Sequence, residues 1–494
     1  MSQTPSSDLR SRPDPNCPTA LPFSFVLKAC LAGLAAALFL VVGDAPASTL
    51  ARQDVLIPMD DGVSIAATLY VPDGTAPAGG WPAIAFLHGL AGNRQQMNAL
   101  VEGYGFANQG YLILTLDARG HGESGGLVGI DGPREIADTR AIHAWLAARP
   151  DVADAKIGAW GISYGGGAIF NSLVAGVPWG AVVTVETWTD LYSALVPQDL
   201  VKSGLVAGLA GSIPEARRDP SLAALQAAAF AGNTAVVRPW AAARSSLSKL
   251  GSVTTPVFMA QGRRDFLFGI EQGTLAFQRL KGPKALYVGL HGHPPSTFPA
   301  ADTTFFMGQA KSWFDCYLLS NPCDRIPGVA IASESFSGNV PWSPSLPATK
   351  STTFALPGVT TFARSGKSVR TTAPLRKAIE VFGSPTVDVS IAASGGWSRL
   401  VAVLTARTLK GDEIIVSAGG VPTKNGARKV TIHLINQATY IPKGSRLTLT
   451  LASSSTAQST SNLLYLDLPM AASARARVGT AILKLPGLRT PVTK

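Results

Sequence analysis

Apolar and polar positions change rhythm three times along the chain, and each change predicts a different kind of element. From Asp54, the apolar Val55-Leu56-Ile57-Pro58, the turn Asp60-Asp61-Gly62 and the segment 63–70 predict an antiparallel hairpin. Beyond it, short and nearly continuous apolar runs at 83–87, 111–116, 157–160, 181–185, 257–260 and 285–288 predict parallel strands buried on both faces. Helical stretches fall between most of them. The clearest, 131–148, starts near Pro133, carries Ile136, Ala137, Arg140, Ala141, Ala144 and Trp145 at helical spacing, and ends before Pro150. Strands alternating with helices predict an α/β fold with a mostly parallel sheet covered on both faces. Segment 190–250 interrupts this rhythm with Ala- and Leu-rich stretches separated by Gly208, Gly211, Pro214 and Pro220. It predicts a helical cap inserted over the sheet edge where ligands usually bind.

Near Arg325 the pattern changes again, through Pro327, Pro341, Pro344 and Pro347, to short Thr-, Val- and Ser-rich runs. Segments 387–391, 400–405, 429–434 and 446–451 alternate or run apolar at strand length, which predicts an all-β domain, a sandwich or jelly roll. The expected layout is an α/β domain over 48–325, with its cap at 190–250, followed by a β-domain over 326–494.

Length and charge narrow the picture. A chain of 494 residues exceeds what one core supports, which agrees with two domains. The formal net charge of +11 would suit an anionic partner, but Lys and Arg are scattered and form no basic run with interleaved aromatics. Nucleic-acid binding is therefore not expected. Residues 1–47 read as an export signal: Arg10, Arg12 and Lys28 precede an apolar stretch at 29–43, and Ala45-Pro46-Ala47 has the small-x-small pattern of a cleavage site. A membrane partner is expected only if this segment is retained as an anchor. Cys30 lacks the upstream residues of a lipoprotein site, and Ser11 separates the two arginines of what would otherwise be a twin-arginine signal. In an oxidising compartment, the closely spaced Cys316 and Cys323 would close a small loop as a disulfide. A zinc site is the weaker reading, because no second Cys or His pair stands nearby.

The chemistry concentrates in a few turns. Gly161-Ile162-Ser163-Tyr164-Gly165-Gly166 follows a strand and precedes an apolar helical segment, 168–174. A serine on so sharp a strand-to-helix turn needs flanking glycines, and in that setting it reads as the nucleophile of an α/β-hydrolase fold. Asp265, just beyond the strand 257–260, is the candidate acid that orients a histidine. Of six histidines, His88 and His121 precede the serine, His143 lies in a helix and His433 belongs to the β-domain. His291 and His293 follow the last core strand, in the Ser, Asp, His order of this fold, and both remain candidates for the base. No carboxylate or cysteine accompanies this His-x-His pair at ligand spacing, so no metal is expected, and no cofactor. The His88-Gly89-Leu90 turn can aim the Leu90 backbone N–H at a reacting carbonyl, opposite that of Tyr164; one such donor contributes roughly 10² to 10³ in rate. The turn from Asp117 to Ser124 reads as structural, tied by its charges.

These residues resemble the X-prolyl dipeptidyl-peptidase and cocaine-esterase group of α/β-hydrolases. The likeness is carried by 117–124, by Glu135 and Asp138 before Trp145-Leu146, by the serine turn, by Asp265, and by Trp313-Phe314-Asp315. In the β-domain, Gly383-Ser384-Pro385-Thr386-Val387 and 441–447 are similar to that group's jelly roll. In the family the catalytic histidine ends a Gly-Pro-Trp-x-His segment. Gly289 and His293 match its first and last positions, so the resemblance selects His293 over His291. It implies a serine hydrolase acting on a small ester or short peptide. Two departures matter. Leu90 stands where some relatives place an oxyanion tyrosine, which leaves a backbone donor there. The cap offers few carboxylates to hold a free amine, chiefly Asp190, Asp199, Glu215 and Asp219, which favours esters over X-Pro peptides. A reading from another class, an inert extracellular protein that binds polymer or cell wall through its jelly roll, has little behind it.

Overall fold

The computed structural model describes residues 52–490 and 492, apart from 108, 323–327 and 337. Segment 1–47, expected to be an export signal, and Cys323 lie outside the described residues.

The first sheet is built from β1 (Arg52–Pro58), β2 (Ser64–Tyr70), β3 (Trp81–Leu87), β4 (Leu112–Leu116), β5 (Val152–Ile162), β6 (Ala181–Val185), β7 (Val257–Gly262), β8 (Lys284–Gly289) and β9 (Gly328–Ile331). Its order is β1-β2-β4-β3-β5-β6-β7-β8-β9. The hairpin β1–β2 runs antiparallel and joins β4 in the same sense, while every pair from β4 to β9 is parallel. The continuous apolar runs have a simple cause. On β3, Ala83, Ala85 and Leu87 enter one core while Ile84 and Phe86 enter the other, so no position is left for a polar residue. Ile142 and Leu146 of helix Pro133–Ala147 and Ile169 of helix Tyr164–Val174 close the first core. Phe306, Trp313 and Phe314 of helix Ala300–Tyr317 close the second.

One detail agrees with the sequence reading and one departs from it. The helix expected to start near Pro133 does begin there, because Ile130 and Asp131 have φ of 60° and 49° and cannot enter a right-handed turn. Pro133 suits the first helical position, where an N–H would have no partner. The sheet, however, continues past 325, since β9 pairs with β8. A four-residue strand leaves too short an apolar run to stand out.

Between β6 and β7, helices Leu191–Leu195, Ser203–Ser212, Ser221–Phe230 and Thr234–Ala242 form the cap. After β9 come a seven-stranded and a four-stranded sheet whose paired strands are antiparallel. Val387, Val389 and Ile391 of the larger sheet meet Leu400, Leu404, Leu449 and Leu451 of the smaller in one core, a β-sandwich. Among the described residues no helix is long and apolar enough to cross a membrane.

Candidate active site

Ser163 lies between β5 and helix Tyr164–Val174, with φ 52° and ψ −111°. A serine rarely adopts a left-handed φ, and the surroundings hold it there. Its N–H donates to Val185 O at 2.8 Å, its carbonyl accepts from Thr187 Oγ1 at 2.7 Å, and Gly165 N–H donates to His88 O at 3.0 Å. The two flanking glycines are sterically required. A Cβ on Gly165 would overlap the Leu87 carbonyl, and one on Gly161 would meet Gly165 O at 2.5 Å. Tyr164 is the first residue of its helix, so its N–H has no intrahelical acceptor and is free to face a ligand.

The loop after β8 returns His293 to the serine. His293 Nε2 lies 2.9 Å from Ser163 Oγ, and His293 Nδ1 lies 2.6 Å from Asp265 Oδ2. Asp265 is fully buried; its Oδ1 accepts from the Leu267 and Phe268 N–H groups at 2.8 and 3.0 Å. Burial alone would raise this carboxyl, but the adjacent His293 and these hydrogen bonds hold it below its ordinary value. It is therefore the ionised partner hydrogen-bonded to the His293 ring. The Phe268 ring stands edge-on to His293, with centroids 5.2 Å apart, and limits its rotation.

His291, two residues away, forms a second pair. Its Nδ1 lies 2.6 Å from Asp302 Oδ2, and Tyr287 Oη donates to the other oxygen of Asp302. His291 Nε2 has no hydrogen-bond partner and does not reach Ser163. Of the two histidines left open by position in the chain, the structure brings only His293 to the serine.

Glu186, the first residue past β6, was missed in the sequence. It is buried with φ 47°, and its carboxylate stands 3.9 Å from His291 Nε2 and 3.9 Å from His293 Nδ1. Burial, reinforced by Asp265 and Asp302, pushes its carboxyl well above its ordinary range. One signal was available: an acid at the carboxyl end of a parallel strand stands where such sheets bind ligands. Glu186, Asp265 and His293 present atoms close enough to share a cation. The 2.6 Å bond between His293 and Asp265 already engages two of the three.

On the other side of the serine, the backbone of Gly89 runs against Ser163, a Cβ built on it lying 3.7 Å from the serine Cβ. Leu90 and Tyr164 line the same cavity as Ser163. The loop is fixed by His88, whose Nε2 accepts from Ala118 N–H at 3.0 Å, so that Nδ1 carries the proton donated to Gly89 O at 2.7 Å. Burial, then the neighbouring His121, lowers its pKa to about 3, which keeps it neutral. The turn from Asp117 is a charge-tied scaffold. Asp117 accepts from the N–H groups of Arg94 and Glu123 at 2.6 and 2.9 Å and pairs with the Arg94 guanidinium. Arg119 forks onto Asp138 at 2.6 and 2.8 Å.

The β-sandwich reaches the acid loop directly. Gln437 Nε2 donates to Asp265 O at 2.8 Å, Ala438 N–H to Arg263 O at 2.7 Å, and Arg263 Nη2 to the buried Glu380 at 2.8 Å. From the cap, the buried Lys202 donates to Phe266 O and Leu267 O at 2.7 and 2.9 Å, and burial lowers its pKa to about 8. Cys316 is disulfide-bonded.

Comparison with known proteins agrees with this architecture. The sequence profile of X-Pro dipeptidyl-peptidase (S15 family) matches residues 61–294. An uncharacterized 31.7 kDa protein of Escherichia coli, from the traX-finO intergenic region, is 33% identical over 111 residues, 22% of this chain and 37% of that protein. The quorum-quenching protein AidA of Acinetobacter baumannii is 29% identical over 163 residues, 32% of this chain and 52% of its own length. The chain thus spans about half, or less, of the curated relatives it matches. A CocE/NonD family hydrolase from Staphylococcus aureus superposes with a TM-score of 0.70 at 13% identity, covering 91% of this chain and 100% of that one. An alpha-amino acid ester hydrolase gives a TM-score of 0.62 at 16% identity, covering 90% and 98%. At such identities these two likenesses speak to the fold, and they extend through both domains.

Proposed function

Because this chain is a serine hydrolase that matches the X-Pro dipeptidyl-peptidase (S15 family) profile over residues 61–294, we propose that it cleaves acyl ester bonds through Ser163, His293 and Asp265. The carrying observation is the 2.9 Å approach of His293 Nε2 to Ser163 Oγ, with Asp265 behind the ring. In the proposed cycle Ser163 Oγ attacks the carbonyl carbon as His293 Nε2 takes its proton. The tetrahedral oxyanion rests against the Leu90 and Tyr164 N–H groups. The leaving alcohol receives the proton from His293, and water then repeats the sequence to free the acid and restore the serine.

Ester is favoured over X-Pro peptide because no carboxylate lines the cavity above Ser163 among the described residues, and a free N-terminal ammonium needs one. Purified protein should react with a fluorophosphonate probe, and Ser163→Ala should abolish that reaction; labelling that persists would sink the assignment. Short-chain p-nitrophenyl esters assayed beside Gly-Pro-p-nitroanilide separate the two substrate classes. A faster anilide reaction reverses the ester preference.

The proposed location is extracytoplasmic. The signal-like segment 1–47 and the disulfide at Cys316 both suit an oxidising compartment. Fractionation of expressing cells, with N-terminal mass analysis of the product, checks location and cleavage together.

A further inference from the structure

The cavity above Ser163 has a volume of about 140 Å³ and opens to solvent. Its wall is almost wholly apolar, with Leu195, Leu209, Ile213, Val237, Trp240 and Phe268 prominent. Among the described residues Arg218 is its single charged one, and that guanidinium donates to the Ile213 carbonyl at 2.8 Å.

The cap helices explain this lining. Ser203–Ser212 reads SGLVAGLAGS and Ser221–Phe230 reads SLAALQAAAF, with no charged residue in either. A surface helix ordinarily shows a polar face, and a helix apolar all round is ordinarily buried. These helices are neither: Leu205, Val206, Leu209, Leu222 and Leu225 are only half-buried. Part of that uncovered apolar surface faces the reacting serine.

We infer that the cap cavity binds an extended apolar chain, making the substrates carboxylic esters with a long aliphatic acyl or alcohol part rather than small acetates. This rests on the hydrolase reading of Ser163. A chain lying along the cavity sheds water with each methylene it adds, while the reacting carbonyl stays at the serine. Selectivity for length therefore follows from burial alone.

The test is kcat/KM for p-nitrophenyl esters from acetate to dodecanoate, and for acetates of alcohols of matching length, all below their aggregation concentrations. In one of the two series each added methylene should raise kcat/KM about three- to fourfold until the cavity is full. Between two and eight carbons the rise should reach at least about 50-fold. Profiles that are flat or falling beyond four carbons in both series, with Ser163-dependent acetate hydrolysis intact, overturn the inference and leave the hydrolase reading standing. No hydrolysis and no fluorophosphonate labelling overturns the hydrolase reading itself. Ala210→Trp, which projects a ring from the cavity wall, should lower the ratio of eight-carbon to two-carbon kcat/KM at least tenfold. Leu222→Gln should lower it less steeply. A ratio unchanged in both variants places the chain elsewhere and also overturns the inference.

Discussion

Two histidine–carboxylate pairs lie side by side beneath the cap, and they are nearly the same object. In each a buried imidazole sits 2.6 Å from a buried aspartate, and in each that aspartate is held below its ordinary pKa despite burial. One contact separates them: His293 Nε2 meets Ser163 Oγ at 2.9 Å, whereas His291 Nε2 faces the carboxyl of Glu186 at 3.9 Å. The comparison teaches that a histidine–aspartate pair is not by itself a catalytic device. On the proposed reading, geometry toward Ser163 makes one pair a proton relay, and its absence leaves the other a buried strut.

Mutation of the histidines should break the comparison most visibly. His293→Ala should lower kcat about 10⁴- to 10⁶-fold and abolish fluorophosphonate labelling, as expected when the base of a serine relay is lost. His291→Ala should cost less than about tenfold in kcat per folded molecule. It should lower stability by about 3 kcal/mol, because Asp302 loses a buried partner. Denaturant titration and active-site counting measure the two effects separately, and equal rate losses would remove the distinction drawn here.

The aspartates should follow at smaller scale. Asp265→Asn should cost about 10⁴-fold in kcat through the wrong imidazole tautomer, whereas Asp302→Asn should be felt mainly in the unfolding midpoint.

Glu186, between the pairs, should give the smallest effect and one with a pH signature. Its carboxyl is raised above the ordinary 4.5 in the fold, so the folded chain keeps a proton that the unfolded chain releases as pH rises. Stability is thereby lost as pH climbs from about 4.5 toward the folded value, and is unaffected below it. Glu186→Gln should raise the melting midpoint at pH 7, show no gain at pH 4, and change kcat less than about tenfold. A gain of the same size at both values would show that ionisation has no part in it.

What the sequence disclosed follows from how local each cause is. Ser163 was legible because strand, glycines and helix are contiguous and the strained turn needs all three. The parallel strands were legible because burial on both faces leaves an unbroken apolar run. The choice between His291 and His293 was not legible from the chain's own pattern. They are two residues apart on one loop, and only the tertiary fold decides which ring turns to the serine. The same holds for Gln437 and Lys202, whose bonds to the acid loop cross 172 and about 65 positions of sequence. In the β-domain, Thr349–Leu356 is mostly exposed and Thr-rich, so its pairing with Arg475–Leu488 left no hydrophobic trace.

The attachment of the acid loop to the β-sandwich also sets an order of events in the protein's life. Gln437 belongs to a strand of the seven-stranded sheet, and that sheet is assembled around Arg475–Leu488, which pairs with four other strands and is synthesised after all of them. A nascent chain halted before residue 475 carries Ser163, Asp265 and His293 but lacks the strand that secures the support of Asp265. The support behind Asp265 is thus complete only once the last strand of the sandwich has been made.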